Sequence, residues 1–238
     1  NASEIPVGLK PYYELLEYLK LQFLDAKNLG SLIEIDSKYL SALTSLKAKL
    51  EEAENSSNPT TKVAVETVLP IVSQALVLAT KYDCAVKNPP YLGSKGMNKE
   101  LKDFGKKFYP NSKSDLFALF MERSFNLLKE HGYNAQVNMQ SWMFLSSFEK
   151  MRESLLDTKT FITMAHLGAR AFGQISGEVV QTTAWVVNNR PLNHYQPTFL
   201  RLIDGNEQEK ERSLKGKNKV FTHTKQSDFS KIPGSPVA

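Results

Sequence analysis

Two adjacent prolines, Pro89 and Pro90, constrain this chain more than any other feature. Proline lacks the N–H that a strand ladder or a helix turn needs, so neither a central strand nor a helix continues through the pair. The short apolar run from Tyr82 to Val86 just before them therefore reads as a strand feeding a rigid turn. Upstream, apolar residues recur at helical spacing instead: Leu15, Leu16, Leu19 and Phe23 after Pro11; Tyr39, Leu43, Leu46 and Leu50; then Val65, Val68, Leu69, Val72, Leu76 and Ala79. Gly30 closes the first of these units and the polar loop Asn55 to Pro59 breaks the second. Pro70 is expected to kink or interrupt the third. Residues 1–80 thus read as a helical region in which no chemistry is visible.

Downstream of the prolines the pattern alternates. Leu116, Phe117, Phe120, Met121, Leu127 and Leu128 form an apolar helical face, with Ser114 or Asp115 as cap and Gly132 as the stop. Ala135, Val137 and Met139 then alternate with Asn134, Gln136, Asn138 and Gln140, the period of a strand running toward Trp142. Ser146 and Glu149 stand at capping-box spacing ahead of a further helix. Thr160 to Leu167, Val179 to Val187 and Tyr195 to Ile203 read as three more strands, the last two joined as antiparallel neighbours through Asn188 to Pro191. Strands and helices in alternation predict an α/β sheet over residues 81–203, and the charged, then proline-rich segment 204–238 is expected to be a linker toward an absent domain.

The chain has 238 residues, 41% hydrophobic and 23% charged, with one cysteine. That composition folds, whereas a lone Cys84 allows neither an internal disulfide nor a cysteine-rich zinc site. No uninterrupted apolar run is long enough to cross a bilayer and no signal-peptide layout opens the chain, so no membrane partner and a cytoplasmic location are expected. The net charge of +5 is not spread evenly: eight lysines face three acids between Lys81 and Lys113, and the remainder is balanced. His131, His166, His194 and His223 show no metal-ligand spacing, and no metal is expected. Neither a Gly-x-Ser-x-Gly elbow nor a phosphate-binding glycine loop occurs, which leaves acyl transfer and nucleotide hydrolysis without support.

Asn88-Pro89-Pro90-Tyr91 lies at the C-terminal end of a predicted parallel strand, where open α/β sheets bind ligands. Taken locally, the alternative is a tight proline turn with a tyrosine lid. It resembles motif IV of the amino-methylating DNA methyltransferases, in which Asn, Asp or Ser precedes Pro-Pro and an aromatic residue after a sheet strand. The resemblance continues through Leu92-Gly93-Ser94-Lys95-Gly96, Asp115-Leu116-Phe117, Glu122, Gly132-Tyr133, Ser141-Trp142, Arg152, Phe229 and Ile232 to Pro236. It is strongest to the large adenine methyltransferases of bacteriophage-exclusion systems and to type II enzymes that fuse restriction and modification.

The resemblance implies the C-terminal half of a Rossmann-like S-adenosylmethionine-dependent methyltransferase sheet, preceded by a helical insertion. It implies adenine-N6 methylation of double-stranded DNA, with other restriction or phage-defence subunits as further partners. In that family a side-chain oxygen at the Asn88 position and the carbonyl of Pro89 accept the two amino hydrogens of a flipped adenine. These bonds localise the nitrogen lone pair and strengthen as charge builds on nitrogen. Pro90 stiffens the acceptors, and Tyr91 supplies a stacking face for the extruded base. Lys95, Lys99, Lys102, Lys106 and Lys107, following the motif, would grip phosphates; a solvated surface is the plain alternative. One departure stands out. The glycine-rich cofactor turn and the acidic residue of this family belong upstream of motif IV, and neither occurs here. Gly173 and Gly177 come after it, so cofactor-binding residues are unassigned and the chain reads as a fragment. A methyltransferase-like module that only binds DNA or a partner is the alternative reading.

Overall fold

The computed structural model describes residues 7–56, 58–171 and 180–237. Val179, Gly173 and Gly177 lie outside them. The chain divides into two compact units, Asn1–Lys81 and Tyr82–Ala238.

The first unit is helical: α1 (Tyr13–Gln22), α2 (Ala26–Leu29), α3 (Leu40–Glu52) and α4 (Pro59–Ala79). Leu15 and Leu19 of α1 close on Leu43, Leu46 and Leu50 of α3 and on Val65 and Val72 of α4, one apolar stripe from each helix. Gly30 ends α2 at a φ of +52°, which favours glycine. Asn58 caps α4 by accepting from the Thr60 and Thr61 amides, and Pro59 occupies the first turn. Pro70 neither ends nor splits α4, contrary to the interruption expected from it. Among the described residues α4 is the one helix long and apolar enough to cross a membrane by length and composition. Val65, Val72, Ala75 and Ala79 along one side of it are buried in the helical core.

The second unit is an α/β fold. In chain order it holds β1 (Tyr82–Lys87), α5 (Lys99–Phe108), α6 (Leu116–Asn126), β2 (Leu128–Met139), α7 (Glu149–Thr158), β3 (Thr160–Gly168), β4 (Thr182–Asn188), β5 (Thr198–Arg201), α8 (Glu207–Lys215), β6 (Val220–Phe221) and α9 (Gln226–Phe229). The sheet order is β1-β2-β4-β3-β5-β6. β1 and β2 run parallel, β4 is antiparallel to both β2 and β3, and β5 is parallel to β3. β4 thus has an antiparallel neighbour on each side, and β5 pairs antiparallel with β6. The Asn188 to Pro191 turn does not make β4 and β5 neighbours, because β3 lies between them.

One local reading is corrected by the sheet. α6 stops at Asn126 and β2 already begins at Leu128, so Gly132 is a strand residue rather than a helix stop. A Cβ at Gly132 would lie 2.9 Å from the Asp83 carbonyl oxygen, so the close approach of β1 to β2 is what glycine permits there. In β2 the polar face is the covered one. Asn134, Gln136 and Asn138 are fully or almost fully buried, whereas Ala135, Val137 and Met139 are only half-buried. Asn134 donates to the Met121 carbonyl at 3.3 Å, and Gln136 donates to Ser124 Oγ and Asn134 Oδ1, each at 3.0 Å. The indoles of Trp142 and Trp185 both donate to Asn138 Oδ1, at 3.1 and 3.2 Å. Every member of this polar column finds a partner, which is the condition for keeping it inside.

The segment expected to be a linker folds against the sheet instead. Asn206 and Glu209 form a capping box on α8, β6 pairs with β5, and Phe229 stacks edge-on to Phe199 at 5.2 Å. Buried Arg152 on α7 donates to the carbonyls of Gly234 and Ser235 and also to those of Trp142 and Leu145, tying the last residues to the turn after β2. Charge and proline count misled here because a segment with few apolar residues can still be held by its backbone. Cys84 is exposed rather than buried.

Candidate functional site

Strands β1 and β2 run parallel with Lys87 opposite Gln136, so Asn88 leaves the sheet at its C-terminal edge. The chain turns at once: Asn88 is exposed, Pro89 buried, Pro90 exposed and Tyr91 half-buried. The Tyr91 ring stands almost perpendicular to Phe117 of α6, with centroids 6.3 Å apart. Its hydroxyl donates to Asn88 Oδ1 at 3.1 Å. The four motif residues are thus one small unit, two prolines long, with an amide oxygen at one end and a backed aromatic ring at the other. Burial pushes the Tyr91 hydroxyl above the ordinary tyrosine value, so it stays a neutral donor.

The chain beyond Tyr91 is latched to the start of α6. Asp115 Oδ1 accepts from the Leu92 amide at 3.1 Å and from the Phe117 amide at 3.2 Å, capping α6 with the same oxygen that holds the motif loop. The Leu116 amide donates back to the Leu92 carbonyl at 3.0 Å, and the Ser94 amide to the Ser114 carbonyl at 2.9 Å. Asp115 is therefore a clamp. Its carboxyl is held above the usual value because burial outweighs the backbone amides that favour its charge. Glu122, two turns along, is raised by burial as well and accepts from buried Ser112.

The lysines group on α5. Asn98 caps this helix by accepting from the Leu101 amide at 2.9 Å. Lys99, Lys102 and Lys106 fall at three- and four-residue spacing, hence on one side of it. Lys99 and Lys106 share Asp103, at 3.1 and 3.9 Å, and Lys107 lies over the Phe108 ring at 4.9 Å. Lys95 precedes the helix on the exposed part of the motif loop. The five lysines lie within one loop and one helix of the motif in sequence, but two of them are partly neutralised, a detail that counting charges does not reveal.

Lys87 was missed by the sequence reading. It ends β1 directly before Asn88, is largely buried, and carries its amine 5.4 Å from the centre of the Phe120 ring. Burial first, and then the Arg123 guanidinium, push its pKa down to about 8. The only signal available beforehand was a lysine closing an otherwise apolar strand run. Among the described residues no group of three or more His, Cys, Asp and Glu side chains comes together as a metal site. A separate cavity of about 370 Å³ opens between Met164, His166, Phe199, Arg201 and Phe229, apart from the motif residues.

Comparison with known proteins adds the following. Residues 14–172 match the family described as Eco57I restriction-modification methylase. The chain is 55% identical over 226 residues to the adenine-specific methyltransferase BrxX of Escherichia coli O9:H4 (strain HS), a match covering 95% of this chain and 19% of that protein. It is 48% identical over 167 residues to the adenine-specific methyltransferase PglX of Lacticaseibacillus casei (strain Zhang), covering 68% and 14%. It is 31% identical over 94 residues to the type II restriction enzyme and methyltransferase RM.Eco57I of Escherichia coli, covering 37% and 9%. The chain thus spans less than a fifth of the length of each of these relatives.

Proposed function

Because this chain belongs to the Eco57I restriction-modification methylase family, we propose that it carries the adenine-accepting half of a site-specific DNA adenine-N6 methyltransferase. The observation that carries the reading is exposed Asn88 at the C-terminal end of β1, directly before the proline pair, with its Oδ1 accepting from the Tyr91 hydroxyl. In this proposal the methyl donor is S-adenosylmethionine, the substrate is double-stranded DNA, and the reaction takes place in the cytoplasm. Partner subunits of a restriction or phage-defence system belong to the same proposal.

The residues account for the adenine side of the reaction. The exocyclic amine is a weak nucleophile because its lone pair is delocalised into the ring. Asn88 Oδ1 and the Pro89 carbonyl would accept hydrogen bonds from its two N–H groups and localise the lone pair on nitrogen; the N–CH3 bond would form as the S–CH3 bond of the donor breaks, the thioether leaving, and one N–H proton would pass to solvent. The acceptors need no reorganisation because the prolines fix them, which is where such electrostatic help is largest. Extruding the base costs a few kcal/mol, and stacking on Tyr91 offsets about 1–3 kcal/mol of it. The Tyr91 hydroxyl must first release Asn88 Oδ1, so that bond acts as a placeholder for the adenine amine.

The groups around Asn88 do not fit the methyl donor. Lys87, Tyr91 and the capping Asp115 offer no glycine turn and no free acid for an adenosine ribose. The donor's pocket is assigned in this proposal to residues outside the chain. β1 is the edge strand of the sheet, and Val86 on it is 79% exposed beside exposed Cys84 and Tyr133. An apolar face of this kind is compatible with cover by further chain.

The test is methyl transfer from labelled S-adenosylmethionine to duplex DNA by the full-length protein carrying these residues, with released nucleosides resolved by mass. Labelled N6-methyladenine is the expected product. Tight DNA binding with no labelled nucleoside would overturn the enzyme reading in favour of the non-catalytic binding module.

A further inference from the structure

Lys87 is a cation in an uncomfortable place. Its register partner on β2 is Gln136, whose amide donates to Ser124 of α6, so Lys87 lies on the side of the sheet that α6 covers. Its amine rests against the Phe120 ring, and Phe117, three residues earlier on α6, meets the Tyr91 ring. Lys87 and Tyr91 therefore flank one turn of the same helix. Among the described residues no carboxylate or carbonyl accepts from the Lys87 amine, and the charge that lowers its pKa, after burial, is a second cation, Arg123. A cation–π contact alone offsets little of the cost of desolvating an ammonium group. A half-buried lysine beside another cation, with no anion among the described residues accepting from its amine, is an arrangement completed by an anionic ligand.

We propose that Lys87 is an anion subsite beside the adenine pocket and takes a phosphate oxygen of the DNA strand that carries the target base. This inference rests on the adenine reading above. It differs from the α5 lysines in kind. Those are solvated and in part paired with Asp103, whereas Lys87 is unpaired and partly withdrawn from water, so a phosphate there is gripped close to the extruded nucleotide. Lys87 is a positioning residue; it does not touch the reacting nitrogen.

The charge state gives the inference its own signature. With the free amine titrating at about 8, DNA binding takes up a proton above that pH. The contribution to affinity is complete below the free-state value and is lost as pH rises through it toward the higher value of the phosphate-bound amine. The other groups packed around the amine do not titrate there: Arg123 stays charged, Gln136 and Phe120 are neutral, and Tyr91 is raised above its ordinary value.

The experiment compares DNA affinity of the full-length protein and its Lys87→Met and Lys87→Arg variants across pH 7–9 and across salt, with S-adenosylmethionine affinity measured in parallel by calorimetry. Lys87→Met is expected to weaken DNA binding about tenfold at pH 7, the size of one charge-assisted hydrogen bond. It should also remove the pH dependence and reduce the salt slope by about 0.9. Lys87→Arg should restore affinity and hold it constant up to pH 9. A Lys87→Met protein with unchanged DNA affinity, pH profile and salt slope would overturn the inference, as would a variant that loses cofactor affinity instead. These readouts are independent of turnover. A parent that binds DNA with this pH signature but forms no N6-methyladenine would refute the adenine reading alone, and a methylating parent indifferent to Lys87→Met would refute only the subsite.

Discussion

Asn88 and Tyr91 occupy each other's polar groups in this structure, and that bond separates two roles of the tyrosine. Tyr91→Phe keeps the ring against Phe117 and removes the hydroxyl from Asn88 Oδ1. Methylation by the full-length Tyr91→Phe protein should stay within about twofold of the parent, whereas Tyr91→Ala should fall by about one to two orders of magnitude, the scale of a missing base–aromatic stack. Steady-state rates on one duplex decide it; equal losses in both variants would mean that the hydroxyl, not the ring, does the work. The residue types of the motif were legible in the sequence because proline permits so few backbone paths. The hydrogen bond between its ends was not, nor was the grip of Asp115, read as a candidate cap of α6, on the Leu92 amide of the motif loop, since both depend on where α6 begins relative to the loop. Lys87 escaped notice for a related reason: a count of charges along the chain contains no measure of burial.

At the scale of elements, the alternation of strand and helix was legible and the sidedness was not. Period two in β2 says that two faces differ, but it does not say which one is covered. Here the polar face is inside because α6 and two indoles supply its partners, while the apolar face stays half-buried. The β5 neighbour was misjudged because a short connection usually joins adjacent strands, and here β3 intervenes. α5 carries this scale's prediction. Neutralising Lys99, Lys102 and Lys106 together in the full-length protein should weaken DNA binding at low salt and flatten its salt dependence by roughly 0.9 for each phosphate no longer gripped, with target preference unchanged. The flattening should be smaller than three fully engaged phosphates would give, because Asp103 already pairs with two of these lysines. An unaltered slope in a filter-binding or anisotropy titration would return α5 to an ordinary solvated helix, and a changed target preference would mean that these side chains read bases.

For the whole molecule, a helical unit precedes in sequence a sheet whose edge strand ends at the Asn88-Pro89-Pro90-Tyr91 motif. The chain covers less than a fifth of each relative's length, so the proposed chemistry is one to be tested in the full-length protein. The proposed chemistry rests above all on one atom, the Asn88 amide oxygen at the end of β1. The direct measurement is the N6-methyladenine formed by the full-length protein with Asn88→Ala and Asn88→Asp, each checked for folding and for DNA affinity. Asn88→Ala removes an acceptor whose hydrogen bond strengthens in the transition state, so turnover should fall about a hundredfold or more while DNA binding stays near the parent's. Asn88→Asp keeps an oxygen in place and should retain much of the activity. Methylation by Asn88→Ala at the parent's rate would refute the acceptor role.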